Sequence, residues 1–297
     1  KKLLVISPYF NRAPLVERTL KSLSNQSFDE MNILVWDDCS PDDTWQKLKD
    51  VKSDLGDERL TIWKNKENLG LTKSLNKAFD IAEKNGFEYV AIVGSGDICD
   101  YGRMSKQVDE LERHPEANFC ATRSYTIDEI TGVKFEDDYF DKQEICLKDV
   151  LDTVPFTHGS VMYRTKAVIE VGGYENVFKW CADWDLFIRL LTIGNARYIN
   201  EFLYTRFALQ DGVSFHPKKS IEQIKYRTLV KYLAFMEPSE RKANIEVAER
   251  DLDSLLFPFR KNMSQIALRR EIKLLLMGRS KEARTLSQLS KENFGNR

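Results

Sequence analysis

The chain has no cysteine pair at CxxC spacing. Its five cysteines, Cys39, Cys99, Cys120, Cys146 and Cys181, are odd in number and scattered. That pattern argues against a disulfide framework and reads as the reduced thiols of a cytoplasmic protein. No apolar run approaches the roughly 20 residues that span a bilayer, and no secretory leader pattern opens the sequence as given. There is no charge excess either: 45 Lys and Arg stand against 46 Asp and Glu, a net charge of −1. Nothing in bulk therefore draws the chain to nucleic acid. No GxGxxG turn follows the first apolar run and no GxxxxGK[ST] occurs, which argues against a dinucleotide enzyme and a P-loop enzyme. Internal repeats and low-complexity tracts are absent. What is present is 42% hydrophobic and 31% charged residues over 297 positions, enough for one large domain or a domain with an extension.

The first hundred residues alternate in period. Leu3 to Ser7 is an apolar run that reads as a buried parallel strand, and Ala13 to Leu23 carries Leu15, Val16, Leu20 and Leu23 at helical spacing. Strands are expected again at Asn32 to Trp36, Leu60 to Trp63 and Tyr89 to Val93. Helices are expected at Thr44 to Val51 and Leu71 to Lys84, the latter with Leu71, Leu75, Ala78, Phe79 and Ala82 on one face. Strand–helix alternation implies an α/β fold, a mostly parallel sheet with helices on both faces. Ligands then bind beyond the carboxyl ends of the strands, where loops at Pro8, Asp37, Asn68 and Asp97 converge. Further on, a strand is expected at Val161 to Arg164 and a short helix at Lys166 to Val171. Asp183 to Thr192 reads as a buried helix, followed by short strands at Arg197 to Ile199 and Phe202 to Phe207. From Ser220 the pattern is helical to the end.

Four constellations carry chemistry. Asp97 ends a strand in a Gly-Ser-Gly-Asp setting, where a carboxylate can ligate a hard divalent cation that bridges a diphosphate; a tight turn capped by its Asp is the plainer account. Asp37-Asp38 follows the second strand and offers a carboxylate to a uracil imide or a ribose hydroxyl, since Asp42 and Asp43 serve the next helix better as caps. Lys73 stands one turn into a helix, where both the helix end and the ammonium favour phosphate. Asp183-Trp184-Asp185 opens a very apolar helix, so its two carboxylates must cap, pair or work. His114-Pro115 reads as a helix end. His216 follows a Gly212-Val213-Ser214 turn that would let it swing over a metal site.

Together these pieces resemble glycosyltransferase family 2, with its GT-A fold, over roughly residues 1–215. The matching segments run in order: Val5-Ile6-Ser7-Pro8-Tyr9-Phe10-Asn11-Arg12, Val35-Trp36-Asp37-Asp38-Cys39-Ser40, Asn68-Leu69-Gly70-Leu71-Thr72-Lys73, Gly94-Ser95-Gly96-Asp97, His158-Gly159-Ser160-Val161, Gly172-Gly173-Tyr174 and Asp183-Trp184-Asp185-Leu186. The resemblance implies inverting transfer from a UDP-sugar to a hydroxyl of a glycan or lipid-linked acceptor, in cell-surface polysaccharide synthesis. Pro8, Tyr9, Asn11, Arg12, Asp38, Asn68, Gly70, Lys73, Ser95 and Gly96 would bind the nucleotide sugar. Asp97, with His216 as a weaker second, would hold Mn²⁺ or Mg²⁺. Asp183 would be the general base, and His158, Gly159, Trp184 and Asp185 would meet the sugar or acceptor. The sequence departs from the family at Gly94 and Gly96, where relatives carry acids, and at Ala182, which replaces the Glu of a Glu-Asp pair. Those departures motivate an alternative, a silent nucleotide-sugar-binding subunit.

The resemblance implies a catalytic domain over 1–218, which leaves a helical extension over 219–297. From Leu255 onward ten Lys or Arg stand against three Glu, among Leu255, Leu256, Phe257, Phe259, Ile266, Leu268, Ile272 and Leu274 to Met277. Such helices pack on the catalytic domain, form a dimer, or rest peripherally on the inner face of an anionic membrane.

Overall fold

A computed structural model describes residues 1–137, 140–208 and 216–295; the expected turn at Gly212-Val213-Ser214 lies outside them. The elements follow the alternation of apolar runs and helical stripes. They are β1 (Leu3–Tyr9), α1 (Val16–Ser24), β2 (Met31–Asp37), α2 (Thr44–Leu55), β3 (Leu60–Lys64), α3 (Leu71–Lys84) and β4 (Tyr89–Ile92). Then come β5 (Ile98–Cys99), α4 (Arg103–Arg113), β6 (Ala117–Asp128), β7 (Lys134–Glu136), β8 (Glu144–Ile145), α5 (Leu147–Val150), β9 (Met162–Arg164), α6 (Thr165–Glu170), α7 (Ala182–Thr192) and β10 (Asn195–Ala208). Four further helices follow: α8 (Pro217–Leu233), α9 (Pro238–Leu256), α10 (Arg260–Leu276) and α11 (Ser280–Phe294).

The sheet runs β3-β2-β1-β4-β9-β6-β10-β5, with β7 on β6 and β8 on β10. Its first four strands are parallel. β9 pairs antiparallel with both β4 and β6, with Tyr89 opposite Arg164 and Phe119 opposite Tyr163. The strands β1, β2 and β4 are buried along almost their whole length, as expected of a parallel sheet covered on both faces. One face packs Leu3, Val5, Ile33 and Val35 against Val16, Leu20 and Leu48. Ring contacts join Phe119, Tyr163 and Phe187 into a second cluster.

Two expectations change in detail. Leu71 is 52% exposed, because it occupies the first position of α3 at the loop end of the sheet. The two short strands expected near 197–207 are one strand, β10. Asn200 and Glu201 are exposed there and interrupt the apolar pattern without interrupting the strand.

The chain packs as two compact units, Lys1–Tyr174 with Leu186–Phe207, and Glu175–Asp185 with Ala208–Arg297. The second thus takes in a segment upstream of the terminal helices. Within it Leu229, Leu233, Leu256, Ala267 and Leu286 are buried, and Arg270 of α10 donates to Ser220 O and Gln223 Oε1 of α8. No helix among the described residues is long and apolar enough to cross a membrane.

Candidate active site

In the strand order 3-2-1-4 the crossover direction reverses between β1 and β4, and at such a switch point ligands bind beyond the carboxyl ends of the strands. The loops there are tied to one another. Asp38 N–H donates to Tyr9 O at 2.8 Å, and Asn11 N–H donates to Ser40 Oγ at 2.9 Å. Among the described residues three non-glycines have positive φ: Asn11 at 56°, Cys39 at 62° and Cys181 at 61°. The first two follow β1 and β2, and the third immediately precedes α7. Such backbone is costly and persists where the surroundings impose it, often at functional sites.

Asp38 is tied to its neighbours. Its Oδ1 accepts from Asn65 Nδ2 at 2.7 Å, Leu69 N–H at 3.0 Å and Ser74 Oγ at 3.3 Å, and its Oδ2 accepts from Gly70 N–H at 2.9 Å. It therefore shapes the Asn68–Gly70 loop and the start of α3. Asp37 is fully buried, takes the Ser40 amide and lies 3.5 Å from Lys64 Nζ. Tyr9 is buried as well. The accessible rim consists of Pro8 and Arg12, half-buried, with Gly70, and of Asn11, Asn68 and Lys73, exposed.

The Gly94–Asp97 loop is clamped from two sides. On the α1 side, Thr19 Oγ1 donates to Asp97 O at 2.8 Å and accepts from Gly96 N–H at 2.9 Å, while Arg18 Nε donates to Gly96 O. On the β10 side, Tyr204 Oη donates to Asp97 Oδ2 at 2.5 Å, and Phe207 N–H donates to Asp97 Oδ1 at 3.0 Å. Asp97 is 9% exposed. Burial raises its carboxyl to about 6, with the Tyr204 and Phe207 hydrogen bonds and the charges of Arg206 and Arg18 acting the other way. The Tyr204 phenol is itself pushed far up, by burial first and then by the charge of Asp97, so it stays an O–H donor.

The two missing acids now have a physical reason. A Cβ on Gly94 would lie 2.4 Å from Asp97 Oδ2, and Gly96 has φ +95° with a Cβ position 2.9 Å from Leu15 Cδ1. A side chain at either position requires Asp97 or Leu15 to shift, and at position 96 a strained backbone as well. Among the described residues no three His, Cys, Asp or Glu gather as a metal group. Each Asp97 oxygen takes one hydrogen bond from the clamp and keeps a second lone pair. That donor set fits a hard cation held by one carboxylate and completed by phosphate oxygens and water. His216 is exposed just before α8 and belongs to the second unit.

His158, half-buried, shares a 2.8 Å hydrogen bond between Nε2 and Tyr174 Oη. The Tyr174 backbone is gripped in both directions by Asn76 of α3, at 2.7 and 2.8 Å. Arg189 of α7 donates to Val171 O and Gly173 O at 2.6 and 2.7 Å. The Gly-Gly-Tyr turn is thereby a fixed part of the first unit. At the start of α7, in the second unit, the carboxylates separate. Asp185 is 1% exposed and pairs with Arg241 Nη2 at 2.5 Å. Trp184 is buried with the Arg227 guanidinium 4.9 Å from its ring. Asp183 alone of the three is half-exposed.

Tyr204, Arg18 and Thr19 were not legible as site residues. Their partners lie 77 to 107 positions away, and nothing in their own surroundings distinguishes them from core or surface residues.

Comparison with known proteins gives the family and the fold. The model of the family described as "Glycosyl transferase family 2" matches residues 4–173. A GalNAc(5)-diNAcBac-PP-undecaprenol beta-1,3-glucosyltransferase of Campylobacter jejuni is 31% identical over 256 residues, 85% of this chain and 77% of that protein. The putative glycosyltransferase EpsE of Bacillus subtilis is 28% identical over 208 residues, 68% and 72% respectively. The fold is shared with S. aureus TarS 1-349 in complex with UDP-GlcNAc (TM-score 0.64, 17% identity, 98% of this chain and 92% of that one). It is shared too with a Pyrobaculum calidifontis mannosyltransferase in complex with GDP-Man and Mn²⁺ (TM-score 0.59, 18% identity, 99% and 85%).

Proposed function

The chain belongs to glycosyltransferase family 2, and from that premise we propose that it moves a sugar from a UDP-sugar to a hydroxyl of a lipid-linked glycan, with inversion at the anomeric carbon. The observation that carries this reading is the clamped Asp97 carboxylate in the loop after β4, beside the switch point of the sheet. The C. jejuni relative, named for an undecaprenol-linked substrate, supports the acceptor class. The UDP-GlcNAc complex of TarS supports the donor class on the same fold.

The roles follow from the residues. The α3 N-terminus and Lys73 draw the diphosphate. Asp97 would hold Mn²⁺ or Mg²⁺, which when bound offsets the negative charge of the leaving diphosphate. Asp183 accepts the proton of the acceptor hydroxyl as its oxygen attacks the anomeric carbon and the bond to the diphosphate breaks. Asp185, buried and paired with Arg241, holds the start of α7.

Thermal unfolding in the presence of UDP, GDP, CDP and their sugars, with and without Mn²⁺, tests the donor. Ligand at about 100 times Kd adds roughly 2.7 kcal/mol, and a chain of this size gains about 2–4 °C per kcal/mol. UDP with Mn²⁺ is expected to raise the midpoint by about 5–10 °C, and GDP and CDP by much less. Equal shifts for all nucleotides would sink the uracil-specific reading.

The end of α10 supports peripheral membrane contact. Ile272, Leu275, Leu276 and Met277 are 48%, 50%, 84% and 42% exposed, beside exposed Lys273 and Lys281. An apolar tip flanked by cations suits an anionic lipid surface. Flotation with phosphatidylglycerol vesicles is expected to carry the protein at low salt and to release it with Leu276→Glu. Equal recovery with neutral vesicles, or none with either, refutes the contact.

A further inference from the structure

We infer that Tyr204 is the positioning residue of the diphosphate–cation site, a phenol that holds the Asp97 carboxylate in a single orientation, in the room that a family acid at position 94 would need. The inference rests on the reading of Asp97 given above and adds to it a residue from the far end of the sheet.

Tyr204 lies on β10, 1% exposed. Its hydroxyl accepts from Gly94 N–H at 3.0 Å and donates to Asp97 Oδ2 at 2.5 Å. One oxygen thus bridges both ends of the Gly94–Asp97 loop. The ring is backed by the guanidinium of fully buried Arg103, 4.9 Å from its centroid. Space around the hydroxyl is reserved by absent side chains. A Cβ on Gly159 would stand 2.0 Å from the phenol oxygen, and one on Gly94 3.3 Å from it and 2.4 Å from Asp97 Oδ2. Phe207 N–H, three residues along the same strand, takes the other carboxylate oxygen at 3.0 Å. Two donors on one strand therefore fix both oxygens, and the remaining lone pairs keep a constant direction. A site with a single carboxylate depends on that, because no second acid corrects its orientation.

This account reverses a simple expectation about the motif. Restoring an acid at position 94 will not strengthen the site, because its Cβ falls where the Asp97 carboxylate is held.

The experiment measures Mn²⁺ affinity at saturating UDP without acceptor, by electron paramagnetic resonance of free Mn²⁺. It is accompanied by thermal unfolding and by KM for Mn²⁺ against kcat. Tyr204→Phe keeps the ring and removes the bridge. Mn²⁺ affinity is expected to fall about tenfold, the worth of one hydrogen bond to a charged group, with the KM for Mn²⁺ rising in step and metal-free UDP affinity unchanged. Gly94→Asp is expected to lower both the unfolding midpoint and Mn²⁺ affinity. A folded Tyr204→Phe with wild-type Mn²⁺ affinity overturns the inference, as does a folded Gly94→Asp that binds Mn²⁺ more tightly. If Tyr204→Phe does not fold, Gly94→Asp alone decides. Asp97→Ala separates the two levels: loss of Mn²⁺ affinity there without loss in Tyr204→Phe overturns the positioning role alone. No loss in Asp97→Ala overturns the reading of Asp97 and the inference with it.

Discussion

Asp183→Asn is expected to lower kcat by about 10²–10⁴-fold, the usual contribution of a positioned general base, while the KM for the donor stays within about twofold. The argument turns on how the two carboxylates around Trp184 are used. Asp185 is buried and charge-paired with Arg241 at 2.5 Å; removing its charge strands that of Arg241. Asp183 is half-exposed in the first turn of α7, after a strained Cys181 at φ +61°. Asparagine keeps its shape and its place in the helix but takes no proton. Its favourable position at a helix N-terminus is worth only about 0.3–1 kcal/mol, so folding survives. Steady-state kinetics with varied donor and acceptor, beside an unfolding curve, check this. A kcat reduced less than fivefold removes Asp183 from the base role. Asp185→Asn is the contrasting control: its cost appears in stability, at about 3–5 kcal/mol for one partner of a buried pair.

The second large effect is structural. Arg103→Ala is expected to destabilise the protein by about 3–5 kcal/mol, as a large buried side chain lost together with its hydrogen bonds does. At about 2–4 °C per kcal/mol that is a midpoint lower by roughly 6–20 °C. Arg103 is fully buried. Its Nε donates to Gln107 Oε1 at 2.9 Å, Nη1 to Cys99 Sγ at 3.2 Å, and Nη2 to Ile92 O and Val161 O at 3.3 and 3.4 Å. One side chain thus joins α4, β5 and the ends of the segments that flank the Asp97 loop, and its guanidinium supports the Tyr204 ring. Alanine leaves a cavity and strips those carbonyls of a donor. Arg103→Met restores most of the volume and none of the hydrogen bonds, so it should recover part of the loss. Differential scanning calorimetry of the three proteins measures both. A midpoint within 2 °C of wild type in Arg103→Ala would show that the network adds nothing.

The parallel half of the sheet was readable because β1, β2 and β4 are short runs of apolar residues ended by polar loops, the pattern of strands buried on both faces. β6 was not, although it lies within the sheet. Its Thr122 and Ser124 are fully buried and Asp128 nearly so, so its hydropathy carries no strand signal. The same blindness touches Asp38. Its position after β2 marks a ligand-side loop, but the four donors from residues 65–74 that hold it converge only in space.

The chain by itself determined its family, the alternation that builds the sheet, and the carboxylates worth watching, because those depend on local runs and short motifs. Tertiary structure decided how the carboxylates are placed: Asp97 clamped by Tyr204 and Phe207, Asp38 tied to its loop, Asp185 paired and Asp183 half-open. Those roles rest on hydrogen bonds and close approaches between residues as much as 110 positions apart, which no local pattern encodes.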